Sequence, residues 1–329
     1  MMHFKNILLG IDLVQALHSG SAKFTPPVEQ AIKQALWLAE KSQARLTFFS
    51  AMEVPDQDLY LSDDELGSVA DKLHQGGTAV LATLVEQAAA RGIVAESKLA
   101  TGAGWEEIIR QVLRGGHDLA IVGARDAGML ERLFFGSTAR KLLHNCPCPV
   151  WVTHAGQSIV PKSILIGSDF SAVTDDALRV AAEVGTAAGA TVHLLNAVDY
   201  PLDRLWSTGV MDYSSQTYHQ QMTAQSKKML AEQAKRVLGD HAGLELKQHI
   251  TERRVVADSA ILKFIKDHDV DLLVMGTMAR GGIPGVFIGN TAERLASSVT
   301  CSLLAIKPAG FECPISLAPA PAKHGGPYL

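Results

Sequence analysis

The feature that most restricts this chain is that it is written twice. Residues 6–12 read NILLGID and residues 163–169 read SILIGSD. Residues 44–54, ARLTFFSAMEV, are answered by ATVHLLNAVDY at 190–200, and DLAIVG at 118–123 by DLLVMG at 271–276. CPVWVT at 148–153 is answered by CSLLAI at 301–306. Gly123 and Gly276 lie 153 residues apart, as do Cys148 and Cys301; earlier landmarks are offset by 157 and then 146. The drift places an insertion in the first loop of the first copy and extra residues in the middle of the second. A repeat of this length describes a whole domain, so the 329 residues divide into two similar units rather than one large one.

Each copy follows one grammar. A short apolar run ending in an acid (Asp12, Asp169) reads as a parallel strand buried on both faces. A helical stretch follows, VEQAIKQALWLAEKS or TDDALRVAAEVGTAA, the second with Thr174 as its expected N-cap and Asp175 and Asp176 in the first turn. A second strand, a long connection and a second helix come next. A third strand and helix lead to a fourth strand that runs into a glycine-rich stretch, and a last helix and strand close the copy. This β-α-β-α-β-α-β-α-β order predicts an α/β protein: two tandem doubly wound domains, each with a five-stranded parallel sheet. The expected boundaries are 1–154 and 163–308, with a linker at 155–162. The tail at 309–329 is expected to be partly disordered, with Phe311, Ile315 and Leu317 able to lie along the body. The last strands, PVWVTH and SLLAIKP, would be exposed apolar edges unless they pair with each other, so an internal pseudo-dimer is expected, and a homodimer of such units is compatible with it.

Hydrophobic residues make up 47% and charged residues 19%, enough apolar material for packed cores. A net charge of −4 without a basic block argues against nucleic acid as a partner. The opening MMHFKNILLGID is too short an apolar run for a signal peptide, and no run reaches a membrane span of roughly 18 residues. Cys146, Cys148, Cys301 and Cys313 form no CxxC pair or zinc spacing; Cys146 and Cys148, in NCPCPV, read as small apolar residues at the start of a strand. A soluble protein of the reducing cytoplasm is the expectation.

In such sheets ligands bind at the C-terminal ends of the strands, beside the switch in strand order. The glycine-rich stretches fall there: GARDAGMLERLFFGSTAR at 123–140 and GTMARGGIPGVFIGNTAE at 276–293. Their spacing resembles that of the universal stress protein family in its tandem form. Its ATP-binding members carry glycine, two residues, glycine, nine residues, then glycine with Ser or Thr, after a fourth strand and with an Asp ending the first. The first copy has Gly123, Asp126 in place of the second glycine, then Gly136, Ser137 and Thr138. The second has Gly276, Ala279 in that place, then Gly289, Asn290 and Thr291. The GNTAE ending followed by LLAIKP resembles the second domain of the type E subgroup. The resemblance implies the fold of the adenine-nucleotide α-hydrolase-like group. It also implies a nucleoside site beside Asp12 and Ala51 in the first copy and beside Asp169 and Ala197 in the second.

A glycine after the strand lets backbone N–H groups approach a phosphate, and the Gly-Ser/Thr pair opens a helix whose dipole favours an anion. Asp126 puts a carboxylate where that phosphate would lie, and Ala279 adds a Cβ. Asn290 replaces the Ser or Thr but is a good N-cap, so the helix can still start; ATP is thus a possible cofactor from the resemblance, with Asp126 changed in the first copy and Ala279 and Asn290 in the second. A lid is expected from 201–222, where Trp206, Tyr213 and Tyr218 interrupt a long connection over the same sheet edge. No Walker loop, no G-x-S-x-G elbow and no metal set is assembled, and DHDVD at 267–271 reads as a solvated turn. The expected function is a non-enzymatic module that senses a small ligand or binds a protein partner. Two alternatives stay open: an ATP binder with slow ATPase or self-phosphorylation activity, and a carrier of an apolar or amphipathic ligand in the second domain.

Overall fold

A computed structural model describes residues 4–19, 23–52, 63–124, 136–200, 215–239, 243–251, 256–277 and 290–317. In the first half the elements are β1 (Asn6–Gly10), α1 (Val14–Ser19), α2 (Pro26–Ser42), β2 (Arg45–Met52), α3 (Asp63–Ala89), β3 (Ala95–Thr101), α4 (Gly104–Gly115), β4 (Leu119–Gly123), α5 (Ser137–Asn145) and β5 (Val150–Thr153). In the second half they are β6 (Ser163–Ser168), α6 (Ala172–Ala188), β7 (Thr191–Ala197), α7 (Ser215–Leu238), β8 (Glu245–Thr251), α8 (Ala257–Asp267), β9 (Leu272–Gly276), α9 (Asn290–Ala296) and β10 (Ser302–Ile306). The inserted residues of the first loop form α1, and α3 starts at Asp63, inside the acidic stretch that reads as a connection.

The strands join into one ten-stranded sheet in the order β3-β2-β1-β4-β5-β10-β9-β6-β7-β8. Within each half every pairing is parallel and the order is the same. The halves meet at the antiparallel pair β5–β10, with Val152 opposite Leu303, Trp151 opposite Leu304 and Val150 opposite Ala305. The pseudo-dimer is thus made by hydrogen bonding the two edges that would otherwise be open. Because that pairing is antiparallel, the C-terminal strand ends of the two halves lie on opposite edges of the sheet.

Alternation along each strand feeds two cores. Ile7, Leu9, Phe48, Ile121, Trp151, Ile166, Leu194, Val274 and Leu304 face α2, α3, α6 and α7. Leu8, Phe49, Val122, Val152, Leu165, Leu195, Leu273 and Leu303 face α4, α5, α8 and α9. Both cores run through both halves, as expected for a parallel sheet covered on both sides. Equivalent acids pin the strand starts: Asp118 accepts from the amides of Lys5 and Asn6, and Asp271 from those of Lys162 and Ser163. Asp271, part of the DHDVD cluster, therefore has a structural partner set. Among the described residues no group of three or more His, Cys, Asp or Glu is placed to hold a metal ion. No described helix is long and apolar enough to cross a membrane.

Helix ends follow local chemistry. Ser171, not Thr174, caps α6: its Oγ accepts from the Thr174 amide at 3.4 Å, and Gly189 closes the helix in the left-handed region at φ 65°. The helix is capped three residues earlier than the sequence suggests because Asp169 turns the chain first, accepting from the Ser171 amide at 3.0 Å. The C-terminal segment crosses onto the first half. Ile315 packs against the core there, Cys313 Sγ donates to the Asn145 carbonyl at 3.4 Å, and Arg114 reaches the Leu317 carbonyl at 3.3 Å. Residues 318–329 lie outside the described residues.

One buried polar group sets a pH dependence. His193 on β7 takes the place of Thr47 on β2. Its Nδ1 lies 3.0 Å from His249 Nε2, and Phe264 and His268 stack beside them at 4.0 Å between centroids. Burial, reinforced by His249, His268 and Lys247, pushes His193 down to about 4, and burial lowers His249 as well. The unfolded chain protonates His193 near pH 6.5 and the folded chain only near 4, with His249 shifted in the same direction. The stability contribution is therefore complete above about pH 6.5 and is lost as the pH falls toward 4. Urea unfolding across this range should show that decline, and His193→Thr should flatten it; an equal slope in the variant would place the acid sensitivity elsewhere.

Candidate functional site

The described site lies in the second half, at the C-terminal ends of β9, β6 and β7, where the strand order reverses. A cleft of about 180 Å³ opens there, walled by Leu195, Ala197, Ile261, Met275, Ala292 and Leu295. Polar atoms enter from Ser168 and Asp169 after β6, Asn196 on β7, Thr277 after β9, Thr174 on α6 and Thr291 on α9. Four residues expected from the sequence (Asp169, Ala197, Gly276 and Thr291) meet in this one cavity. Asn290 opens α9. Ala279 and Gly289 lie outside the described residues, as do Trp206 and Tyr213. Tyr218 is on α7, set edge-on to Tyr200 at 6.2 Å between centroids, and is not part of the cleft wall.

Asp169 is held rather than loose. Its Oδ1 accepts from Thr174 Oγ1 at 2.6 Å as well as from the Ser171 amide, which ties the carboxylate to the start of α6. The neighbouring Phe170 is forced to φ 63°, a conformation that non-glycine residues rarely adopt. Ser168 Oγ donates to Gln233 Oε1 at 2.7 Å, and Gln233 Nε2 donates to Asp175 Oδ1 at 2.7 Å. Arg236 pairs with the same Asp175 carboxylate, which with Gln233 holds it below the usual carboxylate range against the opposing pull of burial. The floor of the cleft is thus anchored to α7 through a closed polar chain.

Asn196 is the residue that sequence reasoning missed. It is 5% exposed; its Nδ2 donates to the Ser168 carbonyl at 2.9 Å, and its Oδ1 is buried with no hydrogen-bond partner among the described residues. A buried acceptor left unpaired is costly, by roughly 1–3 kcal/mol, so a donor from a bound molecule would relieve it. The signal available in the sequence was an amide side chain interrupting an otherwise apolar strand, VHLLNA. In the first half the same place is Ser50, whose Oγ donates to the Ile11 carbonyl at 2.8 Å and needs nothing further.

The first half places Asp12, Ala51, Gly123, Gly136, Ser137 and Thr138 at the ends of β1, β2 and β4 and the start of α5. Asp12 is exposed and its Oδ1 accepts from the Val14 amide at 2.9 Å, a local turn that leads into α1. Asp126 lies outside the described residues.

The strand-ending glycines have a steric role in both halves. A Cβ on Gly123 would come within 2.9 Å of the Pro27 carbonyl carbon and oxygen, and one on Gly276 within 2.6 Å of the Val173 side chain. At the other strand of each switch, a Cβ on Gly10 would meet Ile108 at 2.8 Å and one on Gly167 would meet Ile261 at 2.9 Å. These four positions let helices seat tightly on the sheet, whatever occupies the cleft.

Similarity to known proteins is consistent with this geometry. The family described as "Universal stress protein family" matches twice, over residues 3–154 and 161–307. Universal stress protein E of Photorhabdus laumondii is 26% identical over 97% of this chain and 99% of its own length. Universal stress protein E of Escherichia coli K12 is 27% identical over 65% of this chain and 68% of its own. Among solved structures, a universal stress protein from Archaeoglobus fulgidus superposes with a TM-score of 0.64 at 18% identity, covering 93% of this chain and 99% of its own. A protein of unknown function from Pseudomonas aeruginosa PAO1 gives 0.62 at 20%, with 93% of each chain covered. These two likenesses concern the fold.

Replacing the glycines separates packing from binding. Gly123→Ala should lose about 1–3 kcal/mol in urea unfolding, because the Pro27 backbone cannot rotate away. Gly276→Ala should lose less, because it meets a side chain that can shift. Unchanged stability in both variants would show that the contacts are not what requires glycine.

Proposed function

From the premise that this chain belongs to the universal stress protein family, we propose that it is a non-enzymatic two-domain module which takes up a small amphipathic ligand in the cleft of its second half. The observation that carries the reading is an apolar cleft lined in part by Asn196, whose Oδ1 is buried without a partner. A ligand with a compact apolar ring or chain and one N–H or O–H donor fits that combination. The carboxylate of Asp169, tied down by Thr174 and Ser171, offers a second acceptor at the rim. A non-enzymatic role follows from how these groups are used: the Thr174 hydroxyl is committed to Asp169 and the Ser168 hydroxyl to Gln233. Ser168 faces an amide, which cannot take its proton, and the Asp169 carboxylate that receives the Thr174 hydroxyl is itself tied to the Ser171 amide at the start of α6.

A cavity of about 180 Å³ is small beside the roughly 300–1,000 Å³ of drug-sized ligand sites. It suits a single ring better than a whole nucleoside triphosphate. In the ATP reading the cleft would hold the base and the phosphates would extend past Gly276 and Thr291, with slow ATPase or self-phosphorylation activity as a consequence. In the carrier reading the same apolar walls would hold a hydrophobic cargo. The cytoplasm is the compartment we assign to the protein, in keeping with its unpaired cysteines.

Native mass spectrometry of protein purified without added nucleotide tests the proposal. A noncovalent small-molecule adduct is expected on the wild-type chain and should be lost in Ala197→Trp, which fills the cleft. ATP added in a calorimeter should bind with a Kd weaker than about 50 µM. Tighter binding, about −5.9 kcal/mol or better, on a chain that carries no adduct would replace this reading with the ATP one.

A further inference from the structure

Three thiols and an ammonium group meet where the end of the chain folds back over the first half. The connection from α5 to β5 runs Cys146-Pro147-Cys148-Pro149 and bends at Pro147 and Cys148. The bend turns the two cysteine side chains to the same side, with their sulfur atoms 3.6 Å apart. Both are buried, Cys148 at 7% exposure. Lys307, at the end of β10, brings its ammonium into this place from the second half. It donates to the carbonyls of Leu143 and His144 at the end of α5 and lies over the Phe311 ring, 4.6 Å from its centroid. Cys313, only partly buried, packs over the same cluster with its Sγ on the Asn145 carbonyl.

The electrostatics sort the four thiols. The Cys148 thiol beside it, followed by the charge of Lys307, holds Cys146 below the ordinary thiol range, while the same contact and burial push Cys148 up. Lys307 is itself lowered to about 8 by burial, with the sulfur atoms of Cys146, Cys148 and Cys313 pulling the other way. Cys301, buried at the start of β10, is pushed up to about 12. One thiol of the touching pair can ionise with the other donating to it, and we assign Cys146 as the one that attacks, thiolate being the nucleophile. Its resolving partner stands next to it.

We propose that Cys146 and Cys148 form a dithiol that hydroperoxides oxidise to an intramolecular disulfide, beneath a cover made by residues 307–317. The Cys146 thiolate attacks the terminal oxygen of ROOH. The O–O bond breaks, the alkoxide takes a proton and leaves as ROH, and Cys146 becomes a sulfenic acid. The Cys148 sulfur then attacks the sulfenic sulfur. An S–S bond forms, and hydroxide leaves with the Cys148 proton as water. Two thiols lose two electrons and two protons, and one hydroperoxide is reduced to ROH and water. The sulfur atoms, already 3.6 Å apart, must close to about 2.05 Å for the bond to form. An external dithiol returns the pair to the reduced state by exchange.

The test uses the full chain under native conditions. Hydrogen peroxide is added, samples are quenched and unfolded at intervals so that the buried free thiols can be alkylated, and the digested protein is examined by mass spectrometry. The expected product is a peptide holding both Cys146 and Cys148 that has lost two hydrogens and is reversed by dithiothreitol, while Cys301 stays alkylatable. The pair should disappear at least about tenfold faster than Cys301. In Cys148→Ser the Cys146 sulfenic acid should persist and be captured by dimedone. Phe311→Ala, which loosens the cover, should speed oxidation of the pair several-fold. Loss of the pair no faster than loss of Cys301, or a cross-link that joins Cys313 instead, would overturn the proposal. The wild-type peptide map decides the matter alone if Cys148→Ser does not fold.

Discussion

The antiparallel pairing of β5 with β10 is the contact on which the rest depends. Each half of the chain ends in a fully buried, mostly apolar strand, and either strand alone would expose a hydrogen-bonding edge above a hydrophobic surface. Pairing Trp151 with Leu304 removes both edges at once and makes the two cores continuous. Side chains then lock the joint from both directions. The His154 amide donates to Ser302 Oγ at 3.1 Å, Gln157 reaches the Thr300 carbonyl at 3.0 Å, and Lys307 caps α5. Because the halves are covalently linked, this pairing does not depend on protein concentration as a dimer would.

The joint also separates the two sites. Antiparallel pairing puts the C-terminal strand ends of the halves on opposite sheet edges, so each stands in its own surroundings. In the first half Ser50 satisfies itself on the Ile11 carbonyl and Asp12 is spent on a local turn into α1. In the second half Asn196 keeps an acceptor in reserve and Asp169 is braced against α6. The same fold thus carries one polar set that is satisfied at Ser50 and one that leaves the Asn196 acceptor without a partner. The glycines do not mark this difference, because Gly123 and Gly276 are each required by a helix seated on the strand end. A glycine shared with a nucleotide motif can persist for packing after the binding chemistry has changed.

The same junction explains why the C-terminal segment matters to the first half. Lys307 and Cys313 satisfy carbonyls at the end of α5 that the helix itself cannot. The helix end is thereby covered by residues that are distant in sequence, and the proline-bracketed thiol pair falls underneath.

Much of this was legible in the sequence. The repeat, the apolar runs and the acids ending them determined two doubly wound halves, because a strand buried on both faces must be apolar throughout and its crossover must be helical. The resemblance carried by the Gly276-to-Thr291 spacing pointed to Asp169, Ala197, Gly276 and Thr291, which line one cleft in the fold. The sequence could not show that Asn196 lacks a partner, since that depends on what the Ser168 carbonyl and the walls of α8 and α9 leave open. Nor could it separate Ser171 from Thr174 as the cap of α6, because the choice turns on the bend that Asp169 imposes. The cysteines, read from spacing alone, were small apolar fillers. Only the tertiary fold sets Cys146 and Cys148 side by side and brings Lys307 to them from across the sheet. Periodicity and spacing are properties of neighbouring residues; unmet hydrogen bonds and meeting charges belong to elements brought together from far apart in the chain.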